Sequence, residues 1–286
     1  MNLNINNNIS FYWKVLRSSV ERFFGEDTLT QSAALAYYMV FSLPPMLIVI
    51  FWIAGLWYEE ILVREAVFYE FGELIGKQGA DQLMSTLEKL SATKPTVWAA
   101  IMSVGILLFT ASTVFVTMKQ ALNRIFEVKL TRSVKQGIVR MLLDRFLSIA
   151  MLCIVAIILT ISRVVSALIT AFNETIEKWL GDSKIWLLLF DHIVLNLIVL
   201  TLLFAITYRY MPDTRLKWKD TWFGAFFTAV LFIAGESLIE IFIGKSQVAN
   251  YYDAAGGVLV LMIWVYYSSA IFLFGAIIVH FRAKLR

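Results

Sequence analysis

Six long apolar stretches, separated by loops of alternating charge, dominate the chain. They run over Ser32–Tyr58, Val97–Met118, Phe146–Arg163, Ile185–Tyr208, Thr221–Ile243 and Gly257–Phe281. Crossing a hydrocarbon core of ~30 Å takes about 20 residues at 1.5 Å per residue. Each stretch is about that long. Lipid offers the backbone no hydrogen bonds, so such stretches must close their own as helices. The pattern predicts an all-α, polytopic membrane protein with six transmembrane helices, built as a single membrane domain over residues 1–286.

The flanking segments add smaller elements. Over 9–24, Ile9, Tyr12, Trp13, Leu16, Val20 and Phe23 recur at helical spacing, with Lys14, Arg17 and Arg22 elsewhere on the surface. This predicts an amphipathic helix lying in the cytoplasmic interface. Gly25 suits its end, and Thr28-Leu29-Thr30-Gln31 can form a capping box for the next helix. The longest loop, 59–95, has helical periodicity over 61–75 and 80–90, which predicts two short external helices. Pro44 and Pro45 fall near the middle of the first span. Their rings and missing donors predict a kink or break there, a device that transporters use to expose backbone to substrate.

Composition agrees with the pattern. Hydrophobic residues make up 59% of the chain and mean hydropathy is +0.74, against 45–50% apolar in an ordinary globular domain. The net charge of +4 matters less than its distribution. Summed over alternate loops and ends, Lys and Arg number 17 on one side and 8 on the other. The positive-inside rule places the larger group, and both termini, in the cytoplasm. Seven of its members lie in 119–145, where phosphate headgroups are the expected neighbours. No nucleic acid is expected there, because no stacking platform accompanies the bases. The lone cysteine, Cys153, sits inside the third span and can form no intrachain disulfide. The Asn-rich start lacks a basic segment ahead of a short apolar one, so no cleavable signal peptide is expected.

Polar side chains inside spans are the candidates for function, since burying them in lipid is costly. Arg163 closes the third span, and Asp191, His192 and Asn196 follow early in the fourth. Glu236 and Glu240 lie about 22 Å and 28 Å along the fifth at 1.5 Å per residue, one turn apart on one face. All six fall in the outer half, and the inner half has few equivalents. This predicts an outward-facing polar cavity with Arg163 paired to an acid. The sixth span offers Trp264, Tyr266 and Tyr267, flanked by small residues at Ala254–Gly257 and Gly275-Ala276 that permit close helix packing.

Soluble catalytic signatures are missing. His192 and His280 are the two histidines, far apart, with no HExxH and no Cys/His cluster. No metal, cofactor or enzymatic activity is expected, because a zinc or two-metal site has no ligand set. No phosphate-binding glycine loop occurs either.

The stretch from Ala33 through Tyr37-Tyr38 to Pro44-Pro45 resembles the first span of the YihY/virulence factor BrkB family of bacterial inner-membrane proteins. Tyr252-Asp253-Ala254-Ala255-Gly256-Gly257, continuing through Trp264-Val265-Tyr266-Tyr267, resembles its last span, and Asn123-Arg124-Ile125-Phe126 fits its basic loop. The resemblance implies a six-helix protein of the bacterial cytoplasmic membrane, in a family often mislabelled ribonuclease BN. It also implies links to serum resistance and to lipid or lipopolysaccharide export. The leading expectation is a transporter, or transport accessory, for lipid-like envelope molecules, with membrane lipids as partners. The alternative is a scaffold that docks an envelope partner through 59–95. Ribonuclease activity is not expected, and the sequence fixes no substrate, coupling ion or oligomeric state.

Overall fold

In a computed structural model, the described residues are 3–25, 27–54, 65, 68–69, 97–128, 154, 157–158, 160–162, 164–165, 194–245 and 256–286. Six long helices account for most of them: α1 (Leu3–Gly25), α2 (Thr28–Ala54), α3 (Val97–Ile125), α4 (Asn196–Tyr210), α5 (Trp218–Lys245) and α6 (Gly256–Leu285). No strand occurs among the described residues, so the all-α expectation holds there. The chain divides into two compact units. One holds Met1–Asp27, Lys119–Ile233 and Ile271–Arg286; the other holds Thr28–Met118 and Ala234–Ala270.

Within the described residues one helix segment, Leu261–Leu285, is long and apolar enough to cross a membrane, and Asn196–Tyr210 is a shorter apolar helix. The expected span 146–163 and the external loop 59–95 lie almost wholly outside the described residues, as does the junction carrying Asp253.

The first unit owes its cohesion to α4, α5 and α6. Their contact is close because the contacting residues are small. Gly224 on α5 faces Val279 and the Gly275 carbonyl, and Gly275 on α6 faces Thr228 and Tyr208. Small residues let helix backbones approach, which is how helices associate where lipid removes the hydrophobic drive. Ala225, Ala229, Ala276, Ile277 and Ile278 are buried around them. Helix α1 joins this unit through stacked Tyr12 and Phe223 at 5.2 Å and edge-on Phe23 and Phe274 at 5.3 Å.

Three local expectations change. The buried line of α1 runs through Val15 and Ser19, while Trp13 and Val20, expected on its apolar face, are exposed. Arg22, expected at the surface, is largely covered because it reaches an acid on another helix. The carboxamide oxygen of Gln31 is buried with no hydrogen-bond partner among the described residues, so the return arm of the expected capping box is not made.

In the second unit, Ala36 on α2 meets Leu261 and Val265 on α6, with Val40, Trp264 and Tyr266 packed against them. Trp264 and Tyr266 thus belong to a packing face. Gly235 on α5 takes the edge of the Tyr267 ring, so a side chain there would collide with it. Of the kink or break expected at Pro44-Pro45, the break does not occur, since Thr28–Ala54 is one continuous helix. Two missing N–H donors remove only two ladder bonds, which flanking turns can bridge. Two residues before Pro44, Ser42 Oγ donates to the Met39 carbonyl at 2.6 Å.

Candidate functional site

The polar residues that the structure brings together lie at helix ends in the first unit. Three acids organise them. Each sits at a helix end or in a turn and pairs with one or more bases from distant parts of the chain.

Glu127 closes α3. The Val128 N–H donates to the Asn123 carbonyl at 2.9 Å and the Glu127 N–H to the Arg124 carbonyl at 3.1 Å. This pair of bonds places Glu127 in a left-handed conformation, φ 56°, where glycine is the usual occupant. Its carboxylate meets Lys284 Nζ at 3.1 Å, Arg22 Nη1 at 3.5 Å and His280 Nε2 at 3.5 Å. The hydrogen bond from Lys284 holds its pKa below the usual carboxylate range, against desolvation, which raises it; His280, Lys284 and Arg22 add Coulombic support.

Asp213 lies in the turn between α4 and α5. Its backbone N–H donates to Asn123 Oδ1 at 2.7 Å, and Asn123 Nδ2 donates back to its carboxylate at 3.0 Å. Lys119, one turn before Asn123 on α3, pairs with the other oxygen at 2.9 Å. The turn is thereby fixed to α3 across 90 residues of sequence.

Asp220, buried in the first turn of α5, meets Arg282 Nε at 3.5 Å and Arg286 Nη1 at 3.4 Å. The Arg282 guanidinium lies over the Phe223 ring, 4.0 Å from its centroid, and near Tyr12 at 5.7 Å. Burying an acid is tolerated when it is paired and hydrogen-bonded in this way. Deeper in the unit, Tyr208 OH donates to the Phe272 carbonyl at 2.7 Å and lies 3.0 Å from Thr228 Oγ1, which donates to the Gly224 carbonyl at 2.7 Å. Two hydroxyl protons serve three contacts, so this is a shared hydrogen-bond chain.

The carboxy ends of α3, α4 and α6 and the amino end of α5 therefore converge. From the sequence, these four ends are expected on one side of a membrane. The six candidates of the outer half fare differently. Arg163, Asp191 and His192 lie outside the described residues. Asn196 opens α4 and is exposed, and Glu236 is half-buried directly after Gly235. Glu240 lies in α5, with its side chain outside the described residues. No contact is described that joins any two of them.

Several polar side chains outside those six candidates are buried: Thr201, Tyr208, Thr221, Thr228, Ser269 and His280. Hydroxyls on apolar helices barely disturb hydropathy, because they can bond to the carbonyl four residues back, as Thr228 does. Of the resemblance residues, Asn123 is a buried tie and Tyr37 and Tyr38 are exposed, while Gly256 opens α6.

A family model described as virulence factor BrkB matches residues 19–284. A UPF0761 membrane protein of Alcanivorax borkumensis is 29% identical over 264 residues, covering 89% of this chain and 57% of its own. One from Azotobacter vinelandii is 25% identical over 271 residues, covering 93% and 61%. The ribonuclease-like protein YfkH of Bacillus subtilis is 27% identical over 285 residues, covering 94% and 96%. The chain thus spans about three fifths of the two UPF0761 relatives and nearly all of the Bacillus one. No solved structure matches it.

Proposed function

The chain belongs to the virulence factor BrkB family and is an integral membrane protein; from that premise we propose that it moves, or helps to move, lipid-like amphipathic envelope molecules in the bacterial cytoplasmic membrane. In this reading six helices span the membrane, both termini are cytoplasmic, and the polar residues of the outer half line an outward-facing cavity. The convergence of four helix ends on acidic ties is consistent with that topology.

The observation that carries the reading is Glu236. It is a half-buried carboxylate on a helix of 28 residues, next to a glycine that the Tyr267 ring approaches closely. An ionisable residue at such a depth is costly, and membrane proteins retain them chiefly along substrate or proton paths. Nothing on the chain favours extending the ribonuclease-like name of the Bacillus relative to it, since the sequence offers no hydrolytic ligand set.

Reconstitution in liposomes with fluorescent lipid analogues tests the proposal. Wild-type protein should move label above empty vesicles, and Glu236→Gln should lower the rate at least tenfold while the detergent-solubilised fold is unchanged. Equal rates for wild type, Glu236→Gln and empty vesicles across lipid classes would sink direct transport.

A further inference from the structure

The turn between α4 and α5 carries a surface that the acidic ties do not use. Inside, it is anchored: Met211, Pro212 and Leu216 are buried and Asp213 is held by Asn123 and Lys119. Outside, Arg215, Lys217 and Lys219 are exposed. No ion pair to any of the three is described, and the two nearby acids, Asp213 and Asp220, are already held by Lys119 and by Arg282 and Arg286.

An aromatic ladder begins beside these bases. Tyr210 meets Trp218 edge-on at 6.1 Å, and Trp218 meets Trp222 at 6.4 Å. Arg209 lies over the Trp218 ring, 5.9 Å from its centroid. The ladder continues along one face of α5. Trp218, Trp222, Phe226 and Val230 recur every fourth residue and are 40%, 43%, 47% and 41% exposed. The order runs from base, through amphipathic indole, to phenyl and isopropyl, which is the order of a lipid from phosphate to acyl chain. Trp and Tyr favour the headgroup level, and basic residues there attract anionic lipid.

We propose that this face is a binding site for an anionic glycerophospholipid. Arg215, Lys217 and Lys219 hold its phosphate, and Trp218, Trp222 and Phe226 line its glycerol and upper acyl carbons. The site stands on charge complementarity and on the rigid inner anchoring of the turn. It does not depend on the transport reading.

Native mass spectrometry of the full chain, released from micelles carrying phosphatidylglycerol, phosphatidylcholine or soluble glycerol phosphate, tests it. Phosphatidylglycerol should be retained in preference to the other two. Replacing Arg215, Lys217 and Lys219 together by Gln should weaken phosphatidylglycerol about fivefold per base, on the order of a hundredfold in all, and leave phosphatidylcholine unchanged. A control replaces Lys14, Arg17 and Arg124, also exposed, so that the net charge falls equally. Equal loss in the control would mean diffuse attraction and would overturn the site, as would wild-type binding by the triple variant. Retention of glycerol phosphate equal to that of the lipid would overturn the acyl contribution. If the triple variant does not fold, the Arg215→Gln and Lys217→Gln single variants decide, each by a fivefold change present or absent.

Discussion

The interior of the first unit and its ionic ends solve one problem by opposite means. Both hold α5 to α6. Inside, Gly224, Gly275, Tyr208 and Thr228 do so with close backbone approach and neutral hydrogen bonds. At the ends, Asp220 does so with charge, and Glu127 ties the end of α3 to α6 in the same way. Charges lose their hydration when buried and are screened when exposed. Neutral close packing suffers neither penalty. The interior should therefore be sensitive to shape and indifferent to salt or pH, and the ends the reverse.

The largest effect should come from shape. A Cβ at Gly275 would overlap Thr228 Oγ1 and crowd Tyr208 OH, so Gly275→Ala must push helices apart or break the hydroxyl chain. Overpacking of this kind costs about 1–3 kcal/mol, and the upper end is expected because both neighbours are buried. Thermal or denaturant unfolding in detergent would read it, and a wild-type midpoint would refute the close-approach account. Gly235→Ala should behave alike in the second unit, where the Tyr267 ring occupies the space.

Next comes Asp220, whose side chain is 3% exposed. Asp220→Ala removes the acid and leaves Arg282, stacked on Phe223, without its partner. Breaking a fully buried pair costs about 3–5 kcal/mol. Arg286 is half-exposed and can turn to water, so about 2 kcal/mol is expected. If Gly275→Ala proves milder than Asp220→Ala, the ranking of shape over charge is broken.

Tyr208→Phe is subtler. It deletes one hydroxyl from the chain that links Phe272 and Thr228 but keeps the ring stacked on Phe272 at 5.1 Å. Hydrogen bonds between membrane helices average about 0.6 kcal/mol, and a loss of that size, independent of salt, is expected. A loss that shrinks in high salt would show the hydroxyl chain to be coupled to the charged ends.

The sequence made parts of this legible and hid others for physical reasons. The apolar periodicity anticipated α2, α3, α5 and α6 to within a turn or two at most ends, because lipid-length helices leave a strong pattern. Close approach at Gly275-Ala276 was likewise readable from residue size. The partners were not. Asn123 stood out only within a resemblance, and its tie to Asp213 spans 90 residues, a separation that no local pattern encodes. The hydroxyl chain was missed because Tyr and Thr read as apolar-compatible. Pro44-Pro45 read as a kink or break, and the helix runs on through both prolines because it tolerates two lost bonds. The outer-half cluster rested on depth along each helix; depth alone does not say which side chains meet.

The smallest effect should be at Glu127, and it separates backbone from charge. Its side chain is 53% exposed, so its ion pairs with Lys284 and Arg22 are worth only about 0.5 kcal/mol, and less in high salt. The pKa is lowered in the folded state. The contribution is therefore present above the ordinary carboxylate pKa of 4.5 and fades as pH falls through the folded value. The difference between wild type and Glu127→Gln should follow that course and vanish in acid. Glu127→Gly removes the same charge but also relieves the left-handed backbone, φ 56°, which favours glycine by roughly 1 kcal/mol. At neutral pH Glu127→Gly should thus be at least as stable as wild type, while Glu127→Ala, which keeps the strain and loses the charge, should be less so. If both variants lose equally, the carboxylate is held for its charge and the backbone carries no strain worth relieving.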